Sequence, residues 1–231
     1  SVRRPHTEAG VFLSGMAQRM IRRFAFVLAL LLPFAALAAT PDKAPPAPLV
    51  EGIDYEVLEQ PGTLLPTKPG EVEIVEIFAY TCPHCAHFAP MVEEWKAKLP
   101  KNIVLRLTSP GYNAADPLER AYFASEQIGT LGLTHLQTFQ AIHETQLLPH
   151  NPTDAELTAY YATLGVNAQK FQAALDSAPV MQREQAAKQF SIRTQMQGTP
   201  TMIVAGRWRV LGKSYADMLR IASSLALNPP N

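Results

Sequence analysis

Residues 71–80, EVEIVEIFAY, carry the strongest strand pattern in the chain, and a Cys-Pro-His-Cys run begins two residues later, at Cys82. The strand run is β-branched and aromatic-rich. It opens with alternation and becomes almost continuously apolar, as a central strand covered on both faces does. From Pro83 the period turns helical, through Phe88, Met91, Val92 and Trp95, until Pro100 stops it. Pro83 suits a first helical turn, where a missing N–H loses no partner. Pro90 lies inside the same helix and is expected to kink it. Residues 103–107 (IVLRL) read as a second buried strand, so Cys82 and Cys85 fall at the strand-to-helix junction of a β-α-β unit.

After residue 112 the pattern changes. Residues 117–129, 135–146, 154–164, 168–175 and 179–197 carry helical apolar spacing, punctuated by Gly129, Gly132, Pro149, Pro152, Gly165 and Pro179. Strand signals return at 201–204 (TMIV) and 208–211 (WRVL), joined through Ala205-Gly206 as a hairpin. Ser214 opens a last helix over 215–225, with Asp217 three residues on to complete a cap. A short strand is expected at 54–58. The fold class is therefore α/β with an all-helical insertion. Residues 52–112 and 188–228 are expected to form the discontinuous α/β domain, and residues 113–187 the inserted helices.

The N-terminal part has a different logic. Within residues 20–39, MIRRFAFVLALLLPFAALAA, Arg22 and Arg23 form a basic start, residues 24–32 an apolar run, and Ala36-Leu37-Ala38 a small-residue cleavage site. This is the three-part pattern of a secretory signal peptide. A membrane anchor is the alternative, but Pro33 interrupts the apolar run short of the ~20 residues a spanning helix needs. Residues 1–38 are expected to be the signal, with Met20 a candidate start, and the Pro/Ala-rich residues 39–51 a linker. Residues 1–38 hold five of the 20 basic and one of the 20 acidic residues, so the remainder carries 15 basic and 19 acidic, a formal charge of −4. A mildly acidic exported chain gives no reason to expect a nucleic-acid partner.

Export sharpens the meaning of the cysteines, because Cys82 and Cys85 are the only two. A bridge across a two-residue gap removes little entropy from the unfolded chain, so structural stapling explains this pair poorly. Nor can two cysteines close a tetrahedral zinc site; His84 and His87 lie on the same short helical stretch and cannot all converge on one metal. Chemistry fits better. Free N–H groups and the helix dipole stabilise negative charge at a helix N-terminus, which acidifies Cys82. Cys85 lies one turn further in and is more shielded, and a protonated His84 between them adds to the stabilisation. A dithiol whose reduced form is stabilised in this way is an oxidant.

Three other features stand out. Glu76 shares strand parity with Val72, Ile74, Phe78 and Tyr80, whereas Glu71 and Glu73 share the opposite parity. Either Glu76 is buried with a raised pKa, where it can relay protons, or this side of the strand is open to solvent. Pro200, in Thr199-Pro200-Thr201, immediately precedes a strand, where a cis bond would place the Thr199 backbone beside the cysteines; an ordinary trans turn is the alternative. His135, His143 and His150 read as polar or capping positions of the helical region. Trp95 and Trp208 read as core or boundary aromatics.

With these residues in hand, the chain resembles the thioredoxin superfamily and, within it, the DsbA family of periplasmic disulfide oxidases, from about Asp54 to Leu225. Cys82-Pro83-His84-Cys85 is similar to the DsbA redox motif, the stretch Glu76 to Thr81 to that family's strand with its buried acid, and Gly198-Thr199-Pro200 to its cis-proline loop. Pro90 is more like thioredoxin proper, and the residue at the Thr199 position varies between redox classes. The resemblance implies a thioredoxin-like fold with an inserted helical domain. It also implies catalysis by Cys82 and Cys85 with His84 and Pro83, substrate positioning by Thr199 and Pro200, and a proton relay at Glu76. Substrates would be unfolded or newly exported cysteine-containing proteins in the periplasm of a Gram-negative bacterium. Reoxidation would come from a DsbB-like membrane quinone reductase. No bound cofactor is expected, because the protein disulfide is itself the oxidant. A monomer is expected, because the short stretch before the first strand leaves no room for the dimerisation domain of the isomerases. A dithiol reductant or isomerase, and a chaperone-like module binding unfolded chains, are the alternatives.

Overall fold

In the computed structural model, which describes residues 48–230, the chain runs β1 (Tyr55–Val57), β2 (Val72–Ile77), α1 (Pro83–Lys96), β3 (Ile103–Thr108), α2 (Pro117–Gln127), α3 (Leu131–His143), α4 (Asp154–Thr163), α5 (Ala168–Leu175), α6 (Ala178–Arg193), β4 (Thr201–Val204), β5 (Trp208–Val210) and α7 (Tyr215–Leu227). The expected signal, residues 1–38, and most of the expected linker lie outside the described residues. Among the described residues no helix is long and apolar enough to cross a membrane.

The five strands form one mixed sheet in the order β1-β5-β4-β2-β3. β2 pairs in parallel with β3 through the α1 crossover and antiparallel with β4 on its other side. It is therefore interior, and Ile74, Val75 and Ile77 are completely buried. Its two faces have different covers. Ile74 packs with Phe88 and Val92 of α1 and with Ile221 and Leu225 of α7. Val75 and Ile77 pack with Ile203, Leu58, Leu64 and Phe190 of α6. Each such large apolar side chain contributes about 1.5–3 kcal/mol on burial, which is why an almost unbroken apolar run settles in the middle of the sheet.

Helices α2 to α6 are inserted between β3 and β4. Their core, built around Tyr122, Phe139, Leu157, Tyr161 and Phe171, also takes in Phe78 and Tyr80, the residues just past the end of β2. The central strand thus ties the helical layer to the sheet. α6 closes the circuit: Val180 and Ala187 belong to the helical cluster and Phe190 to the sheet cluster. The expected division at 187/188 consequently falls inside one continuous helix.

Most elements lie where the pattern places them, and the differences have local causes. β2 stops at Ile77 rather than Tyr80 because the Ala79 carbonyl leaves the ladder to accept the Cys82 N–H at 3.1 Å. The third helix begins at Leu131, four residues earlier than its apolar spacing suggests. α1 runs through Pro90 as a single element. At the β4–β5 turn both Ala205 (φ 51°) and Gly206 (φ 60°) are left-handed, and a Cβ on Gly206 would lie 2.3 Å from the Gly62 backbone carbon. Only glycine fits that second position.

Candidate active site

The site is built where β2 hands over to α1. Cys82 is the N-cap residue of α1, in extended conformation (φ −83°, ψ 115°), with Pro83 in the first turn. Asp116, Thr153, Asn167 and Ser214 each accept an N–H of the helix they open, whereas α1, like α3 and α6, has no side-chain cap. Its first amides are therefore free to point at whatever charge forms in front of them.

Both cysteines are free thiols, Cys85 fully buried and Cys82 partly exposed. The Thr199-Pro200 peptide is cis, and the Thr199 carbonyl lies 3.2 Å from the Cys82 sulfur, which donates to it as a thiol. Burial works against ionisation of Cys82, but hydrogen bonds from the Thr199 hydroxyl and from the Cys85 and His84 amides outweigh it, and its pKa falls below the ordinary value. For Cys85, burial dominates and pushes the thiol well up, against a smaller lowering by the Ala79 amide. One turn of helix thus separates a sulfur that ionises readily from one that does not.

The other expected residues fall around this pair. The exposed His84 places Nδ1 3.2 Å from the Tyr215 hydroxyl, and Tyr215 stacks on Phe88 of α1 with ring centroids 5.1 Å apart. Burial, and then the charges of Cys82 and Cys85, raise the Tyr215 phenol. Tyr215 is a neighbour of the site that sequence reading treated only as the start of the last helix. Nothing local links it to a histidine 131 positions away.

Glu76 is buried, not open to solvent: it is 3% exposed, between Leu107 on β3 and Met202 on β4. Burial, with the charge of Glu93 on α1 second, pushes its carboxyl up to about 8. Among the described residues it makes no hydrogen bond to either cysteine. Glu73, on the opposite face, is also buried. It pairs with Arg106 at 2.8 Å and accepts the amides of Leu64 and Leu65 at 2.8 and 3.1 Å. Parity assigned Glu73 its face but could not show that the 62–66 loop folds over it.

Of the three histidines expected at polar or capping positions, His150 is exposed and His143 half-buried in the last turn of α3, whereas His135 departs from that expectation. His135 is buried among Phe78, Tyr80, Tyr122 and Phe139, and His143 bonds the Tyr80 carbonyl at 2.7 Å. Tyr80 supplies a polar partner to each, its hydroxyl to His135 and its carbonyl to His143. Trp95 and Trp208 are boundary and core aromatics, with the Trp95 indole N–H donating to Ser223 at 2.9 Å. Among the described residues no cluster of three His, Cys, Asp or Glu side chains is placed to hold a metal ion.

A family model described as Thioredoxin matches residues 68–221. The thiol:disulfide interchange protein DsbA of Bordetella parapertussis is 35% identical over 202 residues, covering 84% of this chain and 93% of that protein. DsbA of Azotobacter vinelandii is 30% identical over 175 residues, covering 75% and 80%. Among solved structures, the oxidoreductase DsbA from Xylella fastidiosa superposes with a TM-score of 0.73 at 36% identity, covering 78% of this chain and 96% of that one. Reduced DsbA1 from Neisseria meningitidis gives 0.64 at 26% identity, covering 80% and 96%.

Proposed function

The chain belongs to the DsbA family of thioredoxin-fold thiol–disulfide oxidoreductases, and on that premise we propose that it donates its Cys82–Cys85 disulfide to newly exported proteins in the periplasm. The observation that carries this reading is the asymmetry of the two sulfurs: Cys82 partly exposed and acidified, Cys85 buried with its thiol pushed up. A substrate thiolate attacks the Cys82 sulfur, which is the one within reach. The Cys82–Cys85 bond breaks, Cys85 leaves with the electron pair, and a mixed disulfide joins substrate to Cys82. Cys85 then takes up a proton, as its buried surroundings favour. A second substrate thiolate attacks the substrate sulfur of the mixed disulfide and expels Cys82 as a thiolate. The substrate has lost two electrons and the cysteine pair has gained them.

The remaining residues serve these two displacements. The amides of His84 and Cys85 and the Thr199 hydroxyl stabilise the departing Cys82 thiolate, with Pro83 holding the first turn of α1. Thr199 and Pro200 position the substrate chain beside the sulfur. Glu76, with a carboxyl at about 8, exchanges protons on behalf of Cys85. No bound cofactor enters the exchange; reoxidation of the dithiol falls to a DsbB-like quinone-linked membrane partner, and the chain acts as a monomer.

The test is the equilibrium of the purified protein with glutathione. A potential near about −120 mV, the value known for DsbA itself, supports a disulfide donor. One near about −270 mV, the thioredoxin value, would make the chain a reductant and end this reading.

A further inference from the structure

His135, Phe139 and His143 recur at intervals of four along α3 and so share one stripe of the helix. All three meet the same residue. His135 Nδ1 lies 3.1 Å from the Tyr80 hydroxyl, the Phe139 ring stands edge-on to the Tyr80 ring at 5.0 Å, and His143 Nε2 lies 2.7 Å from the Tyr80 carbonyl. Burial, with the charge of Lys96 second, pushes His135 down to about 3, so its imidazole is neutral, while burial raises the Tyr80 phenol well above its ordinary value. The phenol and the neutral imidazole share one hydrogen bond, whose direction is set by the His135 tautomer. A carbonyl only accepts, so His143 donates through Nε2–H.

Tyr80 sits in the middle of the segment that shapes the redox pair. The Ala79 carbonyl before it accepts the Cys82 N–H at 3.1 Å. Thr81 after it leads directly into Cys82. The amides that stabilise a thiolate do so only if the sulfur is held in front of them, and α1 has no side-chain cap to hold its own entry.

We propose that the His135–Phe139–His143 stripe of α3 is a positioning device for the redox pair, gripping Tyr80 at its hydroxyl, ring and carbonyl and so fixing the Ala79–Cys82 turn against the start of α1. This rests on the disulfide-exchange reading of Cys82 and Cys85. It adds that the inserted helices act on the chemistry through Tyr80 as well as by packing around the pair. His135 and His143 are positioning residues: each acts through Tyr80.

The test compares His143→Leu with His143→Gln in the full mature protein, reading the thiolate ultraviolet absorbance of Cys82 against pH, the glutathione equilibrium and the melting temperature. His143→Leu, which cannot hold the carbonyl, is expected to raise the Cys82 pKa by about one unit and to weaken the oxidant about ten-fold. His143→Gln, whose amide N–H can reach the same carbonyl, is expected to bring both readouts back toward wild type. A His143→Leu protein that melts earlier but keeps the wild-type titration and glutathione equilibrium overturns the proposal and leaves a merely structural contact. So does a folded His143→Gln protein that restores neither. If His143→Leu does not fold, Tyr80→Phe, which deletes only the hydroxyl held by His135, is read the same way: a raised Cys82 pKa supports the device and an unchanged one overturns it. A wild-type potential in the thioredoxin range would sink the oxidase reading instead, while the differences between variants and wild type would still decide the positioning role.

Discussion

Replacing Glu76 by leucine is expected to stabilise the protein, and to do so in a way that depends on pH. In the fold the carboxyl is pushed from 4.5 up to about 8, by burial first and by Glu93 second. A raised carboxyl pKa means the folded state holds the proton that the unfolded chain releases. The group therefore costs nothing below about pH 4.5 and works against folding as pH rises towards 8, by about 1.4 kcal/mol per pH unit. The accumulated cost is about 1 kcal/mol at about pH 5 and about 3 kcal/mol at about pH 7, levelling off above about pH 8. Leucine removes the titration, and whatever it gains or loses in packing is a constant offset. Urea denaturation of wild type and Glu76→Leu, both with the disulfide formed, should show the variant gaining about 2 kcal/mol on wild type between about pH 5 and pH 7. Glu119 and Glu184, pushed by burial up to about 7 and about 6, titrate in the same window, but both proteins contain them and they drop out of the difference. A difference that stays flat across this range, or shrinks as pH rises, would refute the assignment of Glu76 as a buried, protonated acid.

Two further expectations concern the frame around the site. Glu73→Ala leaves the Leu64 and Leu65 amides without their acceptor and Arg106 with only the Pro66 carbonyl; a loss of about 3 kcal/mol is expected in urea denaturation, with Glu73→Gln losing clearly less, and equal losses would contradict this account. Gly111→Ala puts a Cβ 2.5 Å from the Glu184 carbonyl oxygen and 2.6 Å from the Lys188 nitrogen of α6, at φ 71°, so a loss of about 2 kcal/mol or more and an earlier melt are expected; a neutral change would show that α6 yields there.

What could be read in advance follows the range over which each signal acts. The switch of period at Cys82, the α5 helix at 168–175 and the β4 strand at 201–204 are local patterns and lie where the sequence puts them. The apolar run extends past the end of β2 because Phe78 and Tyr80 are apolar for a different reason: they leave the sheet to join the helical core. Strand parity separated Glu76 from Glu73, yet the burial of each is decided elsewhere, by α1 over one and the 62–66 loop over the other. The stripe at 135, 139 and 143 is recognisable only once α3 is seen against Tyr80. Its target is 55 residues from His135, and without Tyr80 in view two histidines on a helix look like ordinary polar positions. Tyr215 beside His84 depends wholly on the packing of α7 against α1.

The direction of the chemistry follows from where the donors point. A disulfide carries no charge and draws little from the His84 and Cys85 amides or the Thr199 hydroxyl, whereas a Cys82 thiolate draws on all three. The donors therefore stabilise the reduced state and leave the oxidised state relatively high in free energy. Burial of Cys85 adds to this without opposing it, since its surroundings favour the neutral thiol that reduction produces. A helix start with a carboxylate cap would remove much of the effect, because the cap would occupy the amides and set a negative charge beside the sulfur. The missing cap on α1 is thus not a defect in the helix. It keeps the amides free for the thiolate, and it hands the task of holding the turn to residues outside α1, of which Tyr80 is the one most fully gripped.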